Sequence, residues 1–378
     1  MRTTWIRLAR IALKAAALLL LCNLLFALGN GMALVERIGI YNLLVPGRAR
    51  LPYGETPSRS YSLTLDSIPA MLASHTISQP KTADEYRVAL IGDSSVWGWL
   101  LEHDQTLASQ LERVLDDPTA SLHIRVYNLG YPVQAALKDL LLLEAVMAQR
   151  PDHILWLVTL DGLTLDKQTF PPLVTRNADR ARALIGTYAL PIDLPAPPEP
   201  DLFARSIFGM RRPLADWLRL QVYGAPWAIT GIDQVIPPSF TPVAGDLPPD
   251  VTWNGIETPR ALGDGDLVWE VLAAGEAIAH QGGAHVTFVN QPIFISDGAN
   301  SDVRYNTWYP RWAYDSYRDA FARACDSRRW LCADLWDAVP AREFTDSPVH
   351  LSPEGTRLLA EAAAPLISVN RTPPRKDD

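Results

Sequence analysis

Five short apolar runs, at 88–91, 122–127, 153–159, 285–290 and 330–335, limit the folds open to this chain more than anything else in it. Between and after them lie stretches with helical spacing. These include Leu107, Leu111, Val114 and Leu115, then 134–149, 266–280, 312–324 and 353–367. Short apolar runs bounded by turn residues read as buried strands, and strands that alternate with helices are joined by right-handed crossovers. The pattern predicts an α/β domain over 86–367, a doubly wound parallel sheet of five strands. At 378 residues and 48% hydrophobic, the chain can bury such a core. Its net charge of −8, with no basic stripe, argues against a nucleic-acid partner.

The first thirty residues stand apart. Arg2, Arg7, Arg10 and Lys14 precede an apolar run over 15–28 that only Asn23 interrupts. Counted from Ile11, this is long enough for a membrane-spanning helix, and the basic flank places that end in the cytoplasm and the rest outside. A cleaved signal peptide, ending near Ala27-Leu28-Gly29, is the competing reading, and a buried core helix is a third. Both leading readings export the chain. Cys325 and Cys332 would then sit in a compartment that permits a disulfide, with two buried thiols as the alternative.

Residues 31–85 form a Pro- and Arg-punctuated lead-in. Tyr41, Leu43, Leu44, Tyr53, Tyr61 and Leu63 suit packing against the domain better than a loose linker. Residues 166–262 break the strand–helix alternation and form an insertion between strands three and four. Two Pro-rich stretches there flank a segment with Arg205, Arg211, Arg212 and Arg219 among Phe203, Phe208, Trp217, Tyr223 and Trp227. Three readings are open: a cap over the sheet's carboxyl edge, a membrane-interface element, or a helical subdomain with solvated arginines. The polar tail, 368–378, reads as disordered.

Chemistry concentrates in two places. The first strand ends in Gly92-Asp93-Ser94, which sets a serine hydroxyl at the edge where open α/β sheets bind ligands. Near the other end, Asp346 and His350 precede Leu351-Ser352-Pro353 and the last helix. A hydroxyl nucleophile, a base to deprotonate it and an anion to orient the base are what acyl transfer through serine needs. Together with the glycine after the second strand, Gly130, these blocks resemble the SGNH (GDSL-like) hydrolase superfamily over roughly residues 86–367. The resemblance implies a flavodoxin-like sheet, Ser94 as nucleophile, His350 as general base and Asp346 as its orienter. It also implies an oxyanion hole from the N–H groups of Ser94 and Gly130. Ser95 is the adjacent alternative nucleophile, and Asp93 suits a turn-holding role.

The chain departs from the family pattern twice. The family aspartate lies three residues before the histidine, where this chain has Ser347, so Asp346 must reach His350 around the Ser347-Pro348 turn or leave a Ser–His dyad. The family's third oxyanion donor, an asparagine after strand three, is absent from Val158-Thr159-Leu160-Asp161. Asn290-Gln291, at the end of strand four, is the candidate substitute, ahead of Thr159 and Asp161. No GxSxG, GxxxxGK[ST] or HExxH motif occurs, nor a GxGxxG after a strand, and Asp264-Gly265-Asp266 reads as a helix start before a calcium site. No cofactor or metal is expected. The expectation is a membrane-anchored, extracytoplasmic serine esterase or O-acyltransferase acting on an acylated carbohydrate, an envelope polymer or a small ester. A non-catalytic protein that keeps the fold for glycan binding or envelope assembly is the alternative. Protein partners are not indicated.

Overall fold

The computed structural model describes residues 2–40, 47–53, 65–117, 119–196, 199–230, 236–263 and 265–368. Tyr41, Leu43, Leu44, Tyr61, Leu63, Asp264 and the tail from 369 onward lie outside the described residues, as does the Trp227 side chain.

In chain order, two helices, α1 (Arg2–Leu28) and α2 (Gly31–Val35), precede the lead-in helix α3 (Ile68–Ser74). The sheet domain then runs β1 (Glu85–Ile91), α4 (Ser94–Trp97), α5 (Leu107–Leu115), β2 (His123–Asn128), α6 (Ala136–Val146) and β3 (His153–Val158). Four helices follow in the insertion: α7 (Pro172–Arg176), α8 (Ala178–Tyr188), α9 (Leu202–Arg205) and α10 (Arg211–Thr230). The domain closes with α11 (Trp269–Gln281), β4 (His285–Asn290), α12 (Arg311–Arg328), β5 (Leu331–Asp334) and α13 (Pro353–Ser368).

Every residue of β1 is buried, as a central parallel strand covered on both faces must be. The order is β2-β1-β3-β4-β5 with all neighbours parallel, which makes it the doubly wound five-stranded sheet that the sequence pattern predicts. Strand alternation splits the core in two. Val88, Leu90, Leu155, Leu157 and Val289 pack under Leu111 of α5 and Leu359 and Ala363 of α13. Ala89, Ile91, Ile154, Trp156 and Phe288 pack on the other face under Leu140, Leu272 and Phe321 of α6, α11 and α12. Gly275 lets α11 approach that face, since a Cβ there would stand 2.4 Å from the Trp156 ring.

Cys325 and Cys332 form a disulfide with a Cα separation of 6.2 Å, tying α12 to β5. Cys22 is free and exposed on α1. The stretch Thr4–Leu28 of α1, whose most apolar 18 residues have a mean hydropathy of 2.3, is long enough to cross a bilayer, a test that signal sequences also pass.

Part of the lead-in is stitched to the domain. The Arg50 guanidinium donates to the Gly98 and Leu101 carbonyls at 2.9 and 3.1 Å and lies over the Trp97 ring. The insertion is not uniform either. Its first helices, α7 and α8, belong to the core through Leu173, Val174, Ala181 and Leu184, although their sequence sits beside a Pro-rich stretch.

Candidate active site

The chain order reverses around β1 and β3, and Gly92-Asp93-Ser94 leaves β1 at that switch point. Asp93 caps α4, its Oδ1 accepting the Ser95 N–H at 2.8 Å. Its Oδ2 accepts from the Gln134 and Gln291 amides at 2.8 and 3.0 Å, so Asp93 is a fully committed turn residue. Ser95 is committed as well, donating to Gln291 Oε1 at 2.8 Å. Ser94 alone presents its hydroxyl to a histidine: Oγ lies 2.8 Å from His350 Nε2.

His350 Nδ1 lies 2.8 Å from Asp346 Oδ1. A carboxylate at Nδ1 selects the tautomer with N–H there, which leaves Nε2 to accept the serine proton. The four-residue spacing is absorbed by a closed loop. The Thr345 N–H donates to the His350 carbonyl at 2.9 Å, the His350 N–H to the Ser347 carbonyl at 3.3 Å, and the Pro348 carbonyl accepts from Phe294. Burial would raise the Asp346 pKa, but hydrogen bonds and charge from His350, with help from Thr345, hold it below the usual aspartate value.

Trp99 was not anticipated from the sequence. Its ring stacks on the His350 imidazole at a centroid distance of 5.6 Å, and its Nε1 donates to Asp346 Oδ2 at 3.2 Å. Tyr53 of the lead-in packs against Trp99 in turn. The only sequence signal was a pair of tryptophans just past the serine.

The oxyanion side differs from expectation. The Ser94 N–H opens α4, where helix geometry supplies no acceptor. The Gly130 N–H is instead directed at Asn128 Oδ1, 3.0 Å away, while Asn128 Nδ2 donates to the Val96 carbonyl. Gly130 serves packing here, since a Cβ would lie 2.3 Å from the Trp97 nitrogen. Asn290 must be withdrawn as the substitute donor. Its Nδ2 donates to Asp334 and its Oδ1 accepts from the Tyr314 and Tyr317 hydroxyls, so its amide is committed to structural partners. Alternation along β4 turns Gln291, not Asn290, toward the nucleophile turn. Thr159 is buried within 3.5 Å of the Tyr309 hydroxyl, and Asp161 is ion-paired to Lys167.

Below these loops lies a buried ammonium. Lys138 Nζ donates to the Gly92 and Tyr131 carbonyls at 2.9 and 2.6 Å and pairs with Asp139 at 2.6 Å. One side chain therefore ties the nucleophile turn to the loop after β2. That loop continues to Val133, a β-branched residue at φ 77°, a strained conformation of the kind that clusters at functional sites. Ser94 opens into a cleft of about 550 Å³ lined by Val133, Gln134, Asp161, Asp166, Lys167, Phe170 and Trp308. Among the described residues no group of His, Cys, Asp and Glu is placed to hold a metal ion.

A doubly wound α/β domain with a Ser–His–Asp relay at its switch point is the class that fold and site define. No family model matches the chain, and no curated protein matches it. Similar solved structures include a carbohydrate acetylesterase family member from Sinorhizobium meliloti, with 13% identity, TM-score 0.35, and 75% of this chain and 98% of that one covered. Another is an aryl esterase from M. smegmatis, with 10% identity, TM-score 0.35 and coverage of 75% and 98%. A third is a lipolytic protein assigned to the G-D-S-L family from Desulfitobacterium hafniense, with 12% identity, TM-score 0.34 and coverage of 74% and 99%.

Proposed function

We propose that this chain is a serine esterase of the SGNH type, held outside the cytoplasm by α1, that cleaves or transfers O-acyl groups. The observation that carries the reading is the unbroken relay from Ser94 Oγ through His350 to Asp346, two contacts of 2.8 Å, opening into the cleft. Ser94 attacks the ester carbonyl while its proton passes to His350 Nε2. Negative charge on the carbonyl oxygen meets the Ser94 N–H. His350 returns the proton to the departing alcohol as the tetrahedral intermediate collapses to acyl-Ser94. Water, or an acceptor hydroxyl, then gives its proton to His350 and attacks the acyl carbon; the bond to Ser94 breaks as His350 returns the proton to Oγ.

The alcohol side of the substrate is a carbohydrate in this reading. Trp308 and Phe170 offer apolar faces, and Asp161 and Asp166 offer acceptors for hydroxyl groups in the same cleft. Whether the acyl group goes to water or to a second sugar depends on which of them reaches the intermediate.

Purified full-length protein in detergent, treated with a fluorophosphonate and mapped by mass spectrometry, tests the proposal. Labelling at Ser94, lost in Ser94→Ala and His350→Ala, is the expected result. Folded protein that stays unlabelled and cleaves no acetylated sugar or aryl ester overturns it. That outcome favours a non-catalytic glycan-binding protein, a reading that gains from the commitment of the Gly130 N–H to Asn128.

A further inference from the structure

We infer that the turn from α9 into α10 is a second membrane contact, seated in the bilayer beside α1. The inference rests on α1 remaining as a membrane anchor. Asn23 is the one strongly polar residue in the apolar run of α1, and such a residue inside hydrocarbon needs internal partners. It has two. Its Nδ2 donates to the Leu19 carbonyl at 2.9 Å, and its Oδ1 accepts the Phe208 N–H at 3.3 Å. Asn23 lies five residues before the end of α1, about 7.5 Å along its axis. Phe208 is therefore held below the level at which the apolar run ends.

The turn is built for such a place. The N–H groups of Ala204, Arg205, Ser206, Phe208, Gly209 and Met210 all find acceptors, from Asp201, Phe203, Asn23 and Ser206. Gly209 permits the tight packing, since a Cβ there would meet the Phe203 carbonyl oxygen at 2.3 Å. Yet the side chains point outward, with Leu202, Phe203 and Phe208 being 50%, 67% and 50% exposed. A backbone whose N–H groups are mostly paired, with apolar side chains turned outward, suits lipid better than water.

Charge agrees. Residues 201–230 carry four arginines against two aspartates in a chain of net charge −8. Arg205, Arg211, Arg212 and Arg219 are exposed, suited to phospholipid phosphates at the rim. Farther along, Trp217 Nε1 donates to the Ile38 carbonyl and Gln221 Oε1 accepts the Ile40 N–H. The helix pair is thus bound to the chain leaving α1, with fixed height relative to the anchor.

Site-directed spin labels on the full chain in phospholipid nanodiscs test this. A Cys22→Ser background leaves the disulfide as the only other cysteine pair. Labels would be placed at Phe203→Cys and Phe208→Cys, with Leu20→Cys on α1 and Glu361→Cys on α13 as references. The expected result is that 203 and 208 match Leu20 in favouring oxygen over a water-soluble nickel complex. Labels at 203 and 208 that read like Glu361 while Leu20 reads as lipid overturn the inference alone. A Leu20 label that reads as aqueous overturns the anchor and the inference with it. The esterase proposal stands or falls on its own labelling experiment.

Discussion

At the scale of single residues, Asp346 does for His350 what spacing in the chain did not promise. Its Oδ1 fixes one imidazole nitrogen while Trp99 and Thr345 fix the carboxylate. Asp346→Asn keeps the shape but no longer selects the productive tautomer, and kcat on an aryl ester should fall by about 10³–10⁴ with KM nearly unchanged. Trp99→Phe keeps the stack on His350 and deletes one hydrogen bond to a carboxylate. That bond is worth about 1.5 kcal/mol, so turnover should fall about tenfold. Steady-state kinetics separate the two, and an unaltered Trp99→Phe enzyme would show that the ring only packs. Ser94, His350 and Asp346 were legible because each sits in a short block whose strand or helix context the sequence also shows. Trp99 was not, because its partners lie some 250 positions away. Asn290 was misread because end-of-strand position was visible but the face on which its side chain falls was not.

The elements tell a similar story. Alternating apolar runs and helical spacing revealed the sheet and its covering helices, since parallel strands buried on both faces leave near-continuous apolar sequence. The helices α7 and α8 escaped notice because prolines and arginines around them mask a modest apolar stripe. What joins the elements was invisible as well. Lys138 lies inside an apolar helix yet clamps the nucleophile turn to the loop after β2. Lys138→Met would leave Asp139 buried without its cation and free both carbonyls. Denaturant unfolding should show a loss of about 3–5 kcal/mol, and Lys138→Met/Asp139→Leu should recover part of it. Val133 is the opposite case, a place where the loop stores strain. Val133→Gly should raise stability by up to about 1–3 kcal/mol while lowering kcat, because the relaxed loop no longer fixes the cleft wall. A variant that gains stability with full activity would mean that the strain is idle.

For the whole molecule, buried titratable groups set how stability follows pH. Burial holds His75 and His153 neutral, lowering both from 6.5 to about 4. Between those values the unfolded chain takes up protons that the folded chain refuses, so stability falls as pH falls through that window. Burial pushes Asp139 the other way, up to about 6, against the pull of Lys138 and Trp156, and this favours the folded state on the acid side. Two histidines against one aspartate predict a lower Tm at pH 5 than at pH 7.5 by scanning calorimetry. A flat profile would refute that balance. Order along the chain has a further consequence. Ser94 and His350 are separated by 256 positions, and the histidine loop is held between β5 and α13. During synthesis the serine therefore emerges long before its base, and the relay cannot exist until the last helix has docked beside α5. The nascent protein therefore carries an inert hydroxyl until the loop that holds Asp346 and His350 has been made and folded against it.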